Sequence, residues 1–433
     1  MKIAIIGGGS AYAPGLLTAF AAEAAAFPDA ELALMDIAAP ELEIVHALGL
    51  RLLEGSGLRL SATTEQRRAL DGAELVLTTF RQGGLAARAL DERVPLAFGV
   101  IGQETIGPGG FFFAMRTLPV MRGIAADLAA VSPAAVIVNY TNPTQIVAEA
   151  MARFTRVPTI AICDQTDDDR VHLAPALGVA PTAIELEAAG VNHATWSTTF
   201  RVEGTDGIVR LDAAGDAIAA RPDVSPRVKR QVALARAYGR VPNGYLPYYY
   251  EREASLADAR ATPRTRAEVI EAELPAMYRH FAEQARAAVP RLTQGRGGSV
   301  FGDFAVRVLK ALATGERTRL TLNVRNDGAL APGGPLHGTT PGRVALPDLD
   351  PERIVEVPCT VAGGRIMAEP QTRFPRDTVG LLRMLADYQA AAAEAIWAED
   401  PGAIERALAS NPLVLSLPLA RDLLRARAAA DAP

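Results

Sequence analysis

The chain opens "MKIAIIGGGS", a short apolar run that breaks into three consecutive glycines and a serine. A run of Ile and Ala without polar alternation reads as a strand buried on both faces. Glycines directly after it allow a tight turn and the close backbone approach that a nucleotide's phosphates need. "APGLLTAFAAEAAAF" then reads as a helix, with Pro14 early in the first turn, where its missing N–H is harmless. Strand, glycine turn and helix in this order commit the start of the chain to a βα unit of a parallel sheet.

The same rhythm continues through "ELALMDI", "AELVLTTF", "AAVIVNYTNP" and "TIAICD", each a buried strand followed by a helical stretch. Such alternation implies a doubly wound sheet. From about residue 171 the pattern changes. "IELEAAGVNHATWSTTFRVEG" reads as longer antiparallel strands, "LTLNVRNDGAL" and "RIVEVPCTV" as further strands, and the end of the chain as amphipathic helix. A chain of 433 residues exceeds the ~250–300 at which single cores stop growing. The expected fold is therefore α/β: a Rossmann-type parallel sheet over 1–170 and an α+β domain over 171–433. "LAPGGPLHGTTPGRVALPDLDP" is expected to be a surface loop.

A net charge of −5 argues against a general nucleic-acid binder. Cys163 and Cys359 form no disulfide framework, which fits a reducing compartment. No stretch reads as a signal peptide or a membrane span. The expectation is a cytoplasmic protein with a small-molecule partner and neither membrane nor nucleic-acid contact.

In "GGGSAY", Gly7 and Gly9 are the candidate pyrophosphate turn, with Ser10 beside them as a cofactor contact; Tyr12 stands where the third glycine of G-x-G-x-x-G is expected. Asp36, at the end of the second strand, can accept the ribose hydroxyls and repel a 2′-phosphate, favouring NAD over NADP. Cys163 and Asp164 follow a strand's carboxyl end, the edge where open α/β sheets bind ligands. With His193 in "GVNHATW", Cys163 makes a candidate two-ligand, open site for a divalent ion such as Mn²⁺. Taken alone, each reads more readily as a buried structural residue. "VPNGYLPYYY" places Tyr245 after turn chemistry that projects a phenol; it can act as a base only if a cation lowers its pKa.

These stretches, with "FRQGGLAARALDERVPLAFGVIGQETIGPGGFFFAMRTLPV", "NYTNPTQIVAEA", "PNGYLPYYY" and "VEVPC", resemble glycoside hydrolase family 4, the NAD- and metal-dependent glycosidases. The resemblance covers nearly the whole chain. It implies a fold similar to lactate and malate dehydrogenases and an assembly of two or four subunits. It also implies a route in which NAD⁺ takes a hydride from C3 of a sugar, acidifying the C2 proton. On that route Cys163 and His193 hold the metal, Tyr245 removes the C2 proton, Asp164 matches a leaving-group acid, and the aglycone departs by elimination before water adds and the hydride returns. Asn142 matches a substrate contact, while Arg88, Asn326 and Arg266 are further candidates for substrate or phosphate.

The implied substrate is a 6-phospho-β-glucoside. "RQGGL" and "RGGSVF" resemble β-acting members, whereas Asp164 resembles α-acting ones. Asp167, Asp168 and Asp169 would repel a 6-phosphate if they faced the pocket, or favour a helix N-terminus if they began the next helix. An α-acting or non-phosphorylated substrate, a net sugar dehydrogenase and a non-catalytic NAD or sugar sensor are the alternatives.

Overall fold

The computed structural model describes residues 1–292, 299–328 and 344–431. Most of the proline- and glycine-rich loop, and the "RGG" of "RGGSVF", lie outside the described residues.

Six parallel strands form the first half of the sheet: β1 (Lys2–Ile6), β2 (Glu31–Met35), β3 (Arg59–Thr63), β4 (Leu75–Thr78), β5 (Val136–Asn139) and β6 (Thr159–Ala161). Their order is 3-2-1-4-5-6, that of the dinucleotide-binding fold. β4 and β5 are buried at every position, as their unbroken Val, Ile and Leu runs require. β3 was missed in the sequence because it is the edge strand: its pattern is half-exposed and carries no apolar run.

The second half adds β7 (Ile184–Val191), β8 (Ala194–Val202), β9 (Thr205–Asp206), β10 (Thr318–Arg325), β11 (Ile354–Ala362) and β12 (Arg365–Ala368), all antiparallel. β10 pairs with β6 through Asn323 and Ala161, and β11 with β7 through Glu356 and Gly190. One sheet thus runs through both halves of the chain, and the helix Gln165–Leu177 spans the expected division after residue 170.

Helices cover both faces. Leu16, Leu17 and Phe20 of Ala13–Ala22 pack on one side of β1 and β2 with Val308 and Leu309. Phe111, Leu118 and Met121 of Gly107–Val131 cover the other with Met151 and Ile396. Cys163 and Cys359 are both buried and free. Among the described residues, no helix is long and apolar enough to cross a membrane.

Candidate active site

The strand order reverses between β1 and β4, so the turns after β1, β4, β5 and β6 open onto a common crevice at the strands' carboxyl ends. There lies a cavity of about 630 Å³ whose wall includes Gly7, Gly9, Ser10, Asp36, Asn142, Cys163, Asp164, His193 and Tyr245. Nine of the candidates, from six stretches of the sequence, thus share one wall.

At the nucleotide end, Gly7 has φ +97°, and a Cβ there would lie 2.6 Å from the Thr79 carbonyl oxygen. Only glycine fits. The Gly9 N–H donates to Asp36 Oδ2 at 3.0 Å and the Ala38 N–H to Oδ1 at 3.1 Å. The carboxylate is thereby fixed at the mouth of β2. Ser10 Oγ is buried without a hydrogen-bond partner among the described residues, a loose donor of the kind a phosphate oxygen would satisfy.

At the other end, His193 occupies the two-residue turn between β7 and β8 with φ +62°. Neighbouring Asn192 secures that turn: its N–H donates to Gln145 Oε1 at 3.1 Å and its Nδ2 to Glu356 Oε2 at 2.7 Å. His193 Nε2 comes within 3.5 Å of Cys163 Sγ, and Nδ1 within 3.1 Å of Thr105 Oγ1. The Thr105 hydroxyl donates to Gln103 Oε1 at 2.9 Å, so it accepts from Nδ1–H and leaves Nε2 with its lone pair facing the thiol. The "GQET" block, whose roles the sequence left open, therefore sets the histidine tautomer.

The electrostatics suit a cation. Burial pushes the His193 pKa down to about 3, keeping the imidazole neutral and ready to ligate. Burial pushes the Cys163 thiol well up, with Glu356 and Asp164 adding to the rise. The Tyr245 phenol is likewise raised by burial and then by Glu104, against Arg227. A divalent ion would reverse both rises. The Sγ–Nε2 separation is one that two donors to a single ion can adopt. Among the described residues no cluster of three or more His, Cys, Asp or Glu could hold a metal, so an ion here would need further oxygen ligands from substrate or water.

Tyr245 stacks on His193 with ring centroids 4.0 Å apart and planes 10° apart. Its turn is pinned on two sides: Asn243 N–H donates to the Thr195 carbonyl at 2.8 Å, and Gly244 N–H to Asp169 Oδ2 at 3.1 Å. Asp164 sits at the start of Gln165–Leu177, its carboxyl raised by burial and lowered by a hydrogen bond from Tyr140. Asn142 Oδ1 is held by the Thr144 hydroxyl at 3.0 Å.

Three candidates lie elsewhere. Arg88 is buried behind the wall, bridging Glu92 at 2.7 Å and Glu104 at 2.9 Å. Asn326 is fully buried; its Nδ2 donates to the Leu346 and Leu349 carbonyls, each at 2.9 Å, and its Oδ1 accepts from Leu346 N–H. Arg266 is exposed on the first turn of Arg266–Gln284. None of the three is on the cavity wall. The aspartate run begins a helix: Asp167 pairs with Arg170, while Asp168 and Asp169 pair with Arg227. These acids leave the cavity wall to Asp164. Glu104, in the block whose roles the sequence left open, lines the cavity and is bridged to Arg81 at 2.5 Å; the sequence passed over Tyr278, whose hydroxyl donates to the Gly9 carbonyl at 2.8 Å.

Comparison with known proteins matches residues 2–178 to the family 4 glycosyl hydrolase model and residues 188–414 to that family's C-terminal domain. The chain is a family 4 glycosyl hydrolase. A relative from Bacillus subtilis named as a 6-phospho-beta-glucosidase is 32% identical, covering 98% of this chain and 95% of its own. The 6-phospho-beta-glucosidase of Thermotoga maritima, solved with NAD and glucose-6-phosphate, superposes with a TM-score of 0.83 at 25% identity, covering 100% of this chain and 98% of that one. A 6-phospho-alpha-glucosidase from gut microorganisms, solved with NAD and Mn²⁺, also gives 0.83 at 25% identity, covering 98% and 97%. Both anomeric types thus occur among neighbours of this family 4 glycosyl hydrolase. Its fold is also that of malate dehydrogenase from Cryptosporidium parvum, TM-score 0.53 at 11% identity, covering 92% and 99%.

Proposed function

We propose that this glycosidase cleaves a 6-phospho-β-glucoside by transient oxidation at C3 and removal of the C2 proton. NAD⁺ and a divalent cation, Mn²⁺ foremost, would be resident cofactors, and no net oxidation would occur. The observation that carries this reading is the single cavity shared by the glycine turn, the Cys163–His193 pair and the stacked Tyr245. The relatives named for 6-phosphoglucosides, and the neighbours holding NAD, Mn²⁺ or glucose-6-phosphate, support the substrate and cofactors.

NAD⁺, when bound, supplies a hydride acceptor that returns what it takes, and a divalent ion supplies Lewis-acid stabilisation of charge beside the ketone. The rest falls to the chain. Asp36 would accept the ribose hydroxyls, and Ser10 would meet the phosphates. Cys163 and His193 would hold the ion, the thiol giving up its proton on ligation. Tyr245, kept protonated by burial, becomes competent to take the C2 proton only beside a cation, so loading the site would activate the base. Asp164, with its raised pKa, would protonate the departing oxygen.

Nitrophenyl β- and α-glucosides, each with and without a 6-phosphate, test the reading in the presence of NAD⁺, Mn²⁺ and a reductant. The expected result is nitrophenol release from the 6-phospho-β substrate with no accumulation of NADH. Stoichiometric NADH would make the protein a net dehydrogenase. Asp164 at the cavity, its carboxyl raised by burial, favours the α-acting reading as second, and faster α-cleavage would establish it.

A further inference from the structure

We infer that the helix Arg266–Gln284, contributed by the C-terminal half, completes the dinucleotide site, and that Tyr278 is a cofactor-positioning residue that retains NAD⁺ between turnovers. This rests on the proposed reading of NAD⁺ as a cofactor regenerated within each cycle.

Ile270, Leu274 and Tyr278 project from this helix onto the same cavity wall as Gly9 and Asp36. The helix is fastened to the nucleotide half along its length. At its start a capping box joins Thr265 and Glu268, Ala267 N–H donates to Glu92 Oε2 at 3.0 Å, and Glu268 pairs with Arg93. Towards its end Phe281 is buried with Ala11 and Leu48. Just beyond, Arg51 donates to the Ala287 carbonyl at 3.1 Å. The helix therefore forms a fixed side of the cofactor pocket.

The Tyr278–Gly9 hydrogen bond has a specific consequence at the turn. Glycine leaves its peptide plane free to rotate, and a carbonyl swung toward a pyrophosphate would repel it. With the Tyr278 hydroxyl holding the Gly9 oxygen at 2.8 Å, that dipole is fixed toward the helix and away from the phosphates. Tyr278 also lines the cavity together with Asp36, the residue that would meet the ribose. For a dehydrogenase, whose cofactor leaves after every cycle, such a hold would slow turnover. For an enzyme that reuses its cofactor, slow exchange carries no penalty.

The test is NAD⁺ binding to the full-length protein, read by intrinsic-fluorescence quenching, with dissociation followed by stopped-flow displacement. Wild type, Tyr278→Phe and Leu274→Ala are compared, with melting of the cofactor-free proteins run alongside. Tyr278→Phe is expected to raise the Kd about five- to tenfold, almost wholly through faster dissociation. Leu274→Ala should also speed release, and it carries the test if Tyr278→Phe fails to fold. Kd and dissociation rate within twofold of wild type in the folded variants would overturn the inference while leaving the proposed function intact. Wild-type protein that binds no NAD⁺ would overturn both.

Discussion

The two ends of the cavity are built on different principles. The glycine turn is a backbone object: Gly7 adopts φ +97°, and the N–H groups of Gly7 and Gly8 both reach the carbonyl of Met35 at the end of β2, within one βαβ unit. The Cys163–His193–Tyr245 cluster is a side-chain object assembled from three segments. Its members are held in protonation states set by burial rather than by one another. The first end is complete without a ligand. The second is an arrangement of a raised thiol, a depressed imidazole and a raised phenol that only a cation would bring to working order.

The sharpest way to break this comparison is at the cluster. Tyr245→Phe is expected to lower kcat by about 10²–10⁴ and to stop exchange of the substrate's C2 proton with deuterated solvent, since the base is removed while the ring stack survives. Cys163→Ser should abolish Mn²⁺ dependence together with turnover. NAD⁺ affinity should stay within about threefold in both, because neither residue supports the turn. If C2 exchange persisted in Tyr245→Phe at the wild-type rate, the base would be another group.

Gly7→Ala strikes the opposite end. A Cβ 2.6 Å from the Thr79 oxygen on a backbone at φ +97° adds strain and a clash together, for a loss of about 3 kcal/mol or more. Unfolding by urea should show the loss with and without Mn²⁺. A variant as stable as wild type would mean that the turn is not held as rigidly as its contacts imply.

This contrast also explains how much the sequence disclosed. The parallel half was legible because buried strands write themselves as unbroken apolar runs, and the glycine turn because its chemistry is contiguous. The β7–β8 hairpin was legible for a similar reason. β3 was not, since an edge strand shows neither a run nor clean alternation. In the site, Cys163, His193 and Tyr245 stood out by strand-end position, donor chemistry and turn chemistry, and the family resemblance joined them into one mechanism. Thr105 and Gln103, which fix the histidine tautomer, stood in a block that resembles the family, but their role was not legible because it exists only across the crevice. Arg88 and Asn326, offered as substrate or phosphate contacts, are the converse case, both lying off the cavity wall. A charged or amide side chain in a motif looks like a ligand, yet here Arg88 joins two carboxylates, and Asn326 satisfies backbone groups around Leu346.

A smaller effect is expected from pH, acting on the support of Tyr245. Burial raises Asp169 from its ordinary carboxylate range to about 6, outweighing the attraction of Arg227. Between the unfolded value of 3.8 and that level the native state holds a proton that the unfolded chain has released. Native stability due to this group therefore falls as pH rises from about 4 to about 6, by on the order of 3 kcal/mol, and is flat above. In Asp169→Asn the amide oxygen can still accept from Gly244, but the group no longer titrates. The difference in urea midpoint between pH 4.5 and 6.5 should shrink accordingly, and an unchanged slope would assign it to another carboxyl.

The smallest and most discriminating substitution is Asp36→Asn, because Asp36 belongs both to the turn and to the cofactor. Its two oxygens accept from the Gly9 and Ala38 N–H groups, and an asparagine offers only one acceptor for these two donors. One backbone bond is lost, and the ribose hydroxyls meet a neutral partner, which together should raise the Kd for NAD⁺ about tenfold. The repulsion of a 2′-phosphate disappears at the same time, so affinity for NADP⁺ should rise or hold while that for NAD⁺ falls. Measuring both cofactors separates the two roles. A parallel loss for NAD⁺ and NADP⁺ would mean that Asp36 serves only to fix Gly9, and that cofactor choice is made elsewhere in the pocket.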